Sequence, residues 1–130
     1  MLPILTIDKL IESAKCFCEI ESKNNHKDLL GVTDGKAVGT YVEHKFKDFL
    51  KSQFSVVIGS SAMGIDLPSA TVLTDIKVTS ITQPQSSCPF KNARQKIYGL
   101  GYNLLFFVYN KQDLGKTCRL NFIYCTFINK

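Results

Sequence analysis

Apolar residues recur three and four positions apart in the first part of the chain, then two apart or in unbroken runs through much of the rest. In "TIDKLIESAKCFCEIES", Leu10, Ile11, Ala14, Phe17 and Cys18 share one helical face behind Thr6, a residue type that caps free backbone N–H groups. A helix over 6–23 is predicted. The polar stretch "KNNHKD" separates it from "VTDGKAVGTYVEHKFKDFLKS", where Val38, Val42, Phe46, Phe49 and Leu50 form a second stripe capped by Thr33 or Asp34. The period then changes. "FSVVIG", "GIDL" and "TVLTDIKVTS" read as strands, the last two joined by "PSAT" with Pro68 in the turn. "QPQSSCPF" leads to a third helix, "FKNARQKIYGLG", capped by Ser86 or Ser87, with Pro89 in its first turn and Gly99 or Gly101 at its end. "YNLLFFVYN" is apolar on both faces, as strands in the middle of a sheet are, and "KTCRLNFIYCTFI" is a last strand.

Helix, helix, three strands, helix, strand, strand makes an α/β unit. Strands joined by short loops pair antiparallel, whereas the strand after the third helix returns parallel through a right-handed crossover. The expected result is a central mixed sheet flanked by helices. A length of 130 residues suits one domain, 1–130, with one core, and the hydrophobic fraction of 45% is enough to fold it. No stretch approaches the roughly 18 apolar residues of a membrane span, and the amphipathic start has neither a signal-peptide nor a transit-peptide pattern. Five cysteines (Cys16, Cys18, Cys88, Cys118, Cys125) without a C-x-x-C argue against zinc and for reduced, mostly buried thiols in a cytoplasmic protein. A net charge of +5 permits a polyanionic partner without requiring one.

The charges inside the apolar segment "GIDLPSATVLTDIKVTS" change the picture. Asp-x-Lys or Glu-x-Lys occurs four times, at Glu21, Asp34, Glu43 and Asp75, and the first three fall on helices or at a cap, where such pairs are ordinary solvated charge. The fourth lies within a strand, so Asp75 and Lys77 share one face while Ile76 and Val78 point into the core. With a turn at residues 68–71, Asp66 pairs opposite Leu73, and Asp66 and Asp75 become diagonal neighbours with Cβ atoms roughly 7 Å apart. Carboxylates so placed repel unless a cation sits between them, and Mg²⁺ fits such a gap with one or two carboxylates plus water. The plainer alternative is a surface hairpin whose ion pairs contribute at most about 1 kcal/mol. Glu43 shares a helix face with Gly39, Phe46 and Leu50, which sets it at the border of the apolar stripe, either pointing toward the hairpin or paired with Lys47 at the rim.

A helix bearing Glu43, then strands bearing Asp66 and Asp75-Ile76-Lys77, then a helix and a strand, resembles the αβββαβ core of PD-(D/E)XK nucleases, the superfamily of most restriction endonucleases. "TDIKVTSITQPQSSCPFKNARQKIYGLGYNLLFFVYNK" is similar to the catalytic region of type II restriction enzymes, and the resemblance covers about residues 33–111. Gly-Ile-Asp66 stands where the superfamily's name gives Pro-Asp, with Pro68 after the aspartate instead. The resemblance implies a Mg²⁺-dependent DNA endonuclease, with Mn²⁺ able to substitute. It implies that Asp66, Asp75 and the main-chain carbonyl of Ile76 hold the ion, with Glu43 reaching it directly or through water. Lys77 would orient the attacking water and the phosphate, its pKa depressed by the cation, leaving His26 and His44 free to be surface residues. The alternative from another class is an inactive nuclease-fold domain that binds DNA or protein.

Weaker candidates surround this set. Lys91, Arg94 and Lys96 on the third helix are placed to meet phosphates, or are simply a solvated basic face. Gln95 is a candidate for orienting water, and Gln83, Gln85, Ser86 and Ser87 for reading a groove edge, with capping an equal account of the serines. Tyr41, Tyr98, Tyr102 and Tyr109 read as core. The final strand, about 117–128, carries Phe122, Tyr124 and Phe127 and would be an exposed apolar edge. The expectation is therefore a truncated catalytic core or a chain that buries this strand in a homodimer, acting on double-stranded DNA and on no membrane.

Overall fold

Thr6 and Asp34 set where the two long helices begin. Thr6 Oγ1 accepts from the Lys9 N–H at 3.3 Å and Asp34 Oδ1 from the Lys36 N–H at 3.0 Å. Each occupies a donor that a first helical turn leaves free. Behind these caps run α1 (Ile7–Lys23) and α2 (Gly35–Gln53), joined through a short 3₁₀ turn at Lys27–Leu29. The computed structural model describes residues 1–59, 64–82 and 101–130. The predicted third helix lies outside the described residues, and with it Cys88, Gln83, Gln85, Ser86, Ser87, Lys91, Arg94, Gln95, Lys96 and Tyr98.

The sheet consists of β1 (Thr74–Ser80), β2 (Asn103–Leu114) and β3 (Thr117–Ile128) in that order. β1 and β2 run parallel, with Thr74 beside Asn103 and Ser80 beside Tyr109. β2 and β3 form an antiparallel hairpin that turns at Gly115, where φ is 63° and a Cβ would be strained. A mixed sheet is thus what the chain builds. Residues 103–109 of β2 are all buried, in keeping with an apolar run on both faces. β3 is the edge of the described sheet, and Ile123 and Tyr124 on it are exposed.

Two expected strands are not strands. "FSVVIG" is extended, with Phe54, Val56 and Ile58 against the core and Val57 exposed, so its period-two pattern is expressed. Among the described residues it forms one parallel bridge, Ser55 to Ile4, and a lone backbone bond from the Gly59 N–H to the Asp66 carbonyl, because the neighbouring N-terminal segment turns into α1 at once. "GIDL" likewise contributes one antiparallel bridge, Leu67 to Thr74. Alternating apolar residues give extended chain; a ladder also needs a partner of equal length.

The helices pack on the sheet through an aromatic cluster. Phe17 of α1, Phe46 of α2 and Phe107 of β2 meet edge to face, with ring centroids 5.0–5.8 Å apart. Leu10, Leu50, Leu105 and Leu120 close the core around them. α2 passes β1 where Gly39 lies against Val78, and one turn further on it carries Glu43. Tyr109 is buried, while Tyr41 and Tyr102 are half-buried. Cys18 and Cys118 are buried, Cys125 is half-buried, Cys16 is exposed, and all four are free thiols. No helix among the described residues is long and apolar enough to cross a membrane.

His26 is not the surface residue expected from its polar loop; it is 2% exposed. The loop is pinned to β3, the His26 N–H donating to the Cys118 carbonyl at 2.8 Å and the Cys118 N–H to Asn25 Oδ1 at 2.9 Å. Nε2 lies 2.8 Å from the Glu21 carbonyl, which can only accept, so Nε2 carries the proton. In the neutral ring Nδ1 then accepts from the Tyr41 hydroxyl at 2.9 Å. Lys45 closes the network on Glu21 at 3.1 Å. Replacing His26 by Ala removes the acceptor of the Tyr41 hydroxyl, which keeps only Lys45 Nζ at 3.4 Å, and opens a cavity, so His26→Ala is expected to lose about 2–3 kcal/mol of unfolding free energy in urea. A loss under about 0.5 kcal/mol would mean this network does not hold the loop.

Candidate active site

The turn before β1 decides how the acidic residues meet. It runs from Ser69 to Leu73, longer than "PSAT" suggests: the Val72 and Leu73 N–H groups both donate to the Ser69 carbonyl, at 3.1 and 2.7 Å. Leu73 leaves the turn at φ 36°, in the left-handed region. With Leu67 bridged to Thr74, Asp66 falls directly across from Asp75. The expected pairing with Leu73, which made the two aspartates diagonal, is corrected by this register.

Backbone donors hold the two carboxylates face to face. The Asp66 N–H donates to Asp75 Oδ1 at 3.2 Å, and the Ile76 N–H to Asp66 Oδ2 at 2.8 Å. The Gly59 N–H donates to the Asp66 carbonyl at 2.8 Å, and any Cβ on Gly59 would overlap the Ile65 carbonyl oxygen. Glycine is therefore required where the chain approaches the Asp66 loop this closely. On β1, Ile76 faces the core at 3% exposure while Asp75 and Lys77 face the other way and pair, Lys77 Nζ lying 3.2 Å from Asp75 Oδ2. The third acidic group is Glu43 of α2, and between it and Asp66 stands a residue assigned no role in the site from sequence. Lys47 Nζ lies 2.8 Å from Glu43 Oε1 and 2.7 Å from Asp66 Oδ1. The Glu43–Lys47 helical spacing was the signal for the first contact; the second exists only in the fold. These groups line one cavity of about 510 Å³, with His44 exposed beside them, so Glu43, Asp66, Asp75, Ile76 and Lys77 are all brought together.

Burial divides the carboxylates. Desolvation, reinforced by hydrogen bonding with Asp66, pushes Glu43 up to about 7 and Asp75 up to about 6. Desolvation also acts on Asp66, but its hydrogen bonds with Asp75 and Glu43, the Lys47 ammonium and the Ile76 N–H outweigh it and hold this carboxyl well below its usual range. Burial favours a neutral Lys77, yet its pairing with Asp75 wins and holds the ammonium above its ordinary value. The depression expected of Lys77 beside a cation is thus not produced by its protein neighbours. Asp66 is the firmly ionised member of the set.

The acidic groups lining the cavity, Glu43, Asp66 and Asp75, offer carboxylate oxygens, which suit a hard ion rather than a soft one, with the His44 imidazole also in the lining. Among the described residues, no group of three or more His, Cys, Asp or Glu side chains is arranged to hold a metal ion as it stands. Asp66 and Asp75 make a two-carboxylate set, the number with which Mg²⁺ commonly binds while keeping several waters.

The family model for the type II restriction enzyme NspV matches residues 4–130. The type II restriction enzyme NspV of Nostoc sp. (strain ATCC 29411 / PCC 7524) is 53% identical over 130 residues, which cover 98% of this chain and 58% of that protein. Both matches are to type II restriction enzymes. The chain belongs to the NspV family. It spans 58% of the length of the relative from Nostoc. No solved structure matches the chain.

The charge balance of the site has a measurable consequence. Asp75 titrates near 6 in the folded protein against 3.8 for the unperturbed group, so the folded state binds this proton more tightly than the unfolded chain. Stability is therefore lost as pH rises through that window. Asp75→Asn removes the loss and is expected to be more stable than the parent by about 1 kcal/mol at pH 8, with the difference vanishing below about pH 4. Asp66, whose folded value is depressed, has the opposite sign, and Asp66→Asn is expected to destabilise at neutral pH. Thermal melts of both variants across this pH range check the pair, and equal effects of the two substitutions would contradict the division of charge.

Proposed function

We propose that this chain carries the catalytic core of a Mg²⁺-dependent endonuclease that hydrolyses phosphodiester bonds in double-stranded DNA, with Mn²⁺ able to substitute. The observation that carries this reading is the convergence of Asp66, Asp75, Lys77 and Glu43 on one cavity from a loop, the strand that follows it and a helix earlier in the chain. The order α2, extended 54–58, the 65–67 segment, β1 and β2 supports the αβββαβ core of the PD-(D/E)XK nucleases, with the third helix falling outside the described residues. Membership of a type II restriction enzyme family supports the activity, and the net charge of +5 supports an anionic substrate.

In this reading Asp66, Asp75 and the Ile76 carbonyl would hold the ion, with Glu43 reaching it directly or through water. The chemistry a bound Mg²⁺ would supply there is Lewis acidity toward the attacking water and the phosphate charge. Lys77 extends from the same face as Asp75 and is one third exposed, so its ammonium can hold the attacking water and a non-bridging phosphate oxygen in line. Asp75 orients Lys77 through their ion pair. His44, exposed at the rim, needs no part in the proton transfer. Cutting both strands of a duplex suits two such sites, and the exposed Ile123 and Tyr124 on edge strand β3 support a homodimer formed there.

One observation favours the second reading, a nuclease-fold domain that binds DNA or protein without cutting: Lys47 already neutralises Asp66. Plasmid cleavage with Mg²⁺, with and without chelator, separates the two. Asp75→Ala and Lys77→Ala are each expected to lower cleavage at least about a hundredfold while the circular dichroism spectrum is unchanged. Cleavage by either variant at the parent rate would end this assignment.

Binding should survive these substitutions and weaken with salt. Each phosphate neutralised adds about 0.9 to the slope of log affinity against log salt, measurable by gel shift in Ca²⁺. A flat response would instead indicate a partner other than nucleic acid.

A further inference from the structure

Lys47 has no part in the reaction derived above, yet it is among the most constrained charged side chains near the cavity. It is 12% exposed, and its ammonium is shared between Glu43 Oε1 at 2.8 Å and Asp66 Oδ1 at 2.7 Å. Asp66 has both oxygens engaged: Oδ1 by Lys47 and Oδ2 by the Ile76 N–H at 2.8 Å. The two donors differ in what they can do. The Ile76 N–H is fixed in β1, whereas Lys47 sits on a flexible four-carbon stem. A dication on Asp66 would stand within roughly 4 Å of an ammonium bound to the same oxygen, and like charges at that distance in a partly buried site repel strongly.

Lys47 also has somewhere to go. A second cavity of about 270 Å³ adjoins the first, lined by Lys47 itself with Asp48 and Lys51. Rotation of the lysine stem would carry its ammonium toward this cavity and solvent, where the exposed Asp48 offers a carboxylate beside the like charge of Lys51.

We propose that Lys47 is a built-in counter-ion that holds the acidic cluster together and must leave Asp66 Oδ1 for a divalent cation to bind, so that ion entry and Lys47 release are one linked event. The proposal rests on the reading of Asp66 and Asp75 as a cation site. It makes two statements independent of cleavage. By linkage, the ion loosens Lys47 to the same extent that Lys47 weakens the ion. Removing the ammonium should therefore tighten ion binding and make stability depend on the ion.

The test uses the full chain, Mn²⁺ as probe, and no DNA. Lysine acylation by an amine-reactive ester, read by mass spectrometry, reports the freedom of Lys47, with exposed Lys51 as internal reference. Saturating Mn²⁺ is expected to raise Lys47 labelling about tenfold relative to Lys51. Calorimetry on Lys47→Met is expected to show Mn²⁺ bound about tenfold tighter than by the parent, and its melting temperature to rise more steeply with Mn²⁺. If Lys47→Met does not fold, the labelling of the parent decides. Mn²⁺ bound by the parent with Lys47 labelling unchanged overturns the proposal and leaves the cation site standing. Mn²⁺ bound by neither protein removes the cation site, and the proposal with it.

Discussion

Two aspartates cannot be kept side by side in a half-buried setting unless the protein supplies the compensating positive charge. Here the backbone does part of that work. Asp66 and Asp75 each accept an N–H from the other's segment, so the bridge between Leu67 and Thr74 and the carboxylate pair support one another. Lys47 and Lys77 complete the balance from opposite sides. The site is therefore an alternation of acid and base, Glu43–Lys47–Asp66 and Asp75–Lys77, joined through main-chain donors. Partly buried charged groups of this kind are tolerated when each is both paired and hydrogen-bonded.

That arrangement depends on a rigid base. Ile76, between Asp75 and Lys77, is anchored in the core, and β1 is held along its length against the wholly buried first half of β2. Phe46, packed on Phe17 and Phe107, fixes the rotation of α2. Glu43 lies one turn before Phe46 and Lys47 immediately after it, so the aromatic cluster sets the face on which both reach the cavity. Hydrophobic packing thus positions the polar chemistry, and the left-handed turn at Leu73 sets its register. A chain of the NspV family has in this way placed its acidic and basic groups on a scaffold of two helices and three strands among the described residues.

The network around His26 shows the same economy where α2 meets α1. Glu21, His26, Tyr41 and Lys45 tie α1 to α2 while backbone bonds tie their loop to β3. This is why His26 is buried in a loop whose other polar residues, from Lys23 to Asp28, are exposed. The His26 ring is satisfied by the Tyr41 hydroxyl and the Glu21 carbonyl instead of by water.

The two described helices, the central strand and the shared face of Asp75 and Lys77 were determined by the sequence itself. Caps at Thr6 and Asp34, helical stripes, and the two-faced apolar run at 103–109 are local signals, and local physics suffices to express them. The same holds for Asp75 and Lys77, whose shared face follows from strand period alone. Tertiary structure decided the rest. Whether "FSVVIG" joins a ladder depends on a neighbour that no local pattern names, and the pairing of Asp66 depends on a turn one hydrogen bond longer than its residues suggest. Lys47 belongs to the site because α2 lies where the aromatic core puts it, and His26 is buried because β3 returns to meet its loop. Contacts between residues far apart in the chain have no period to read; they arise only when packing brings the elements together.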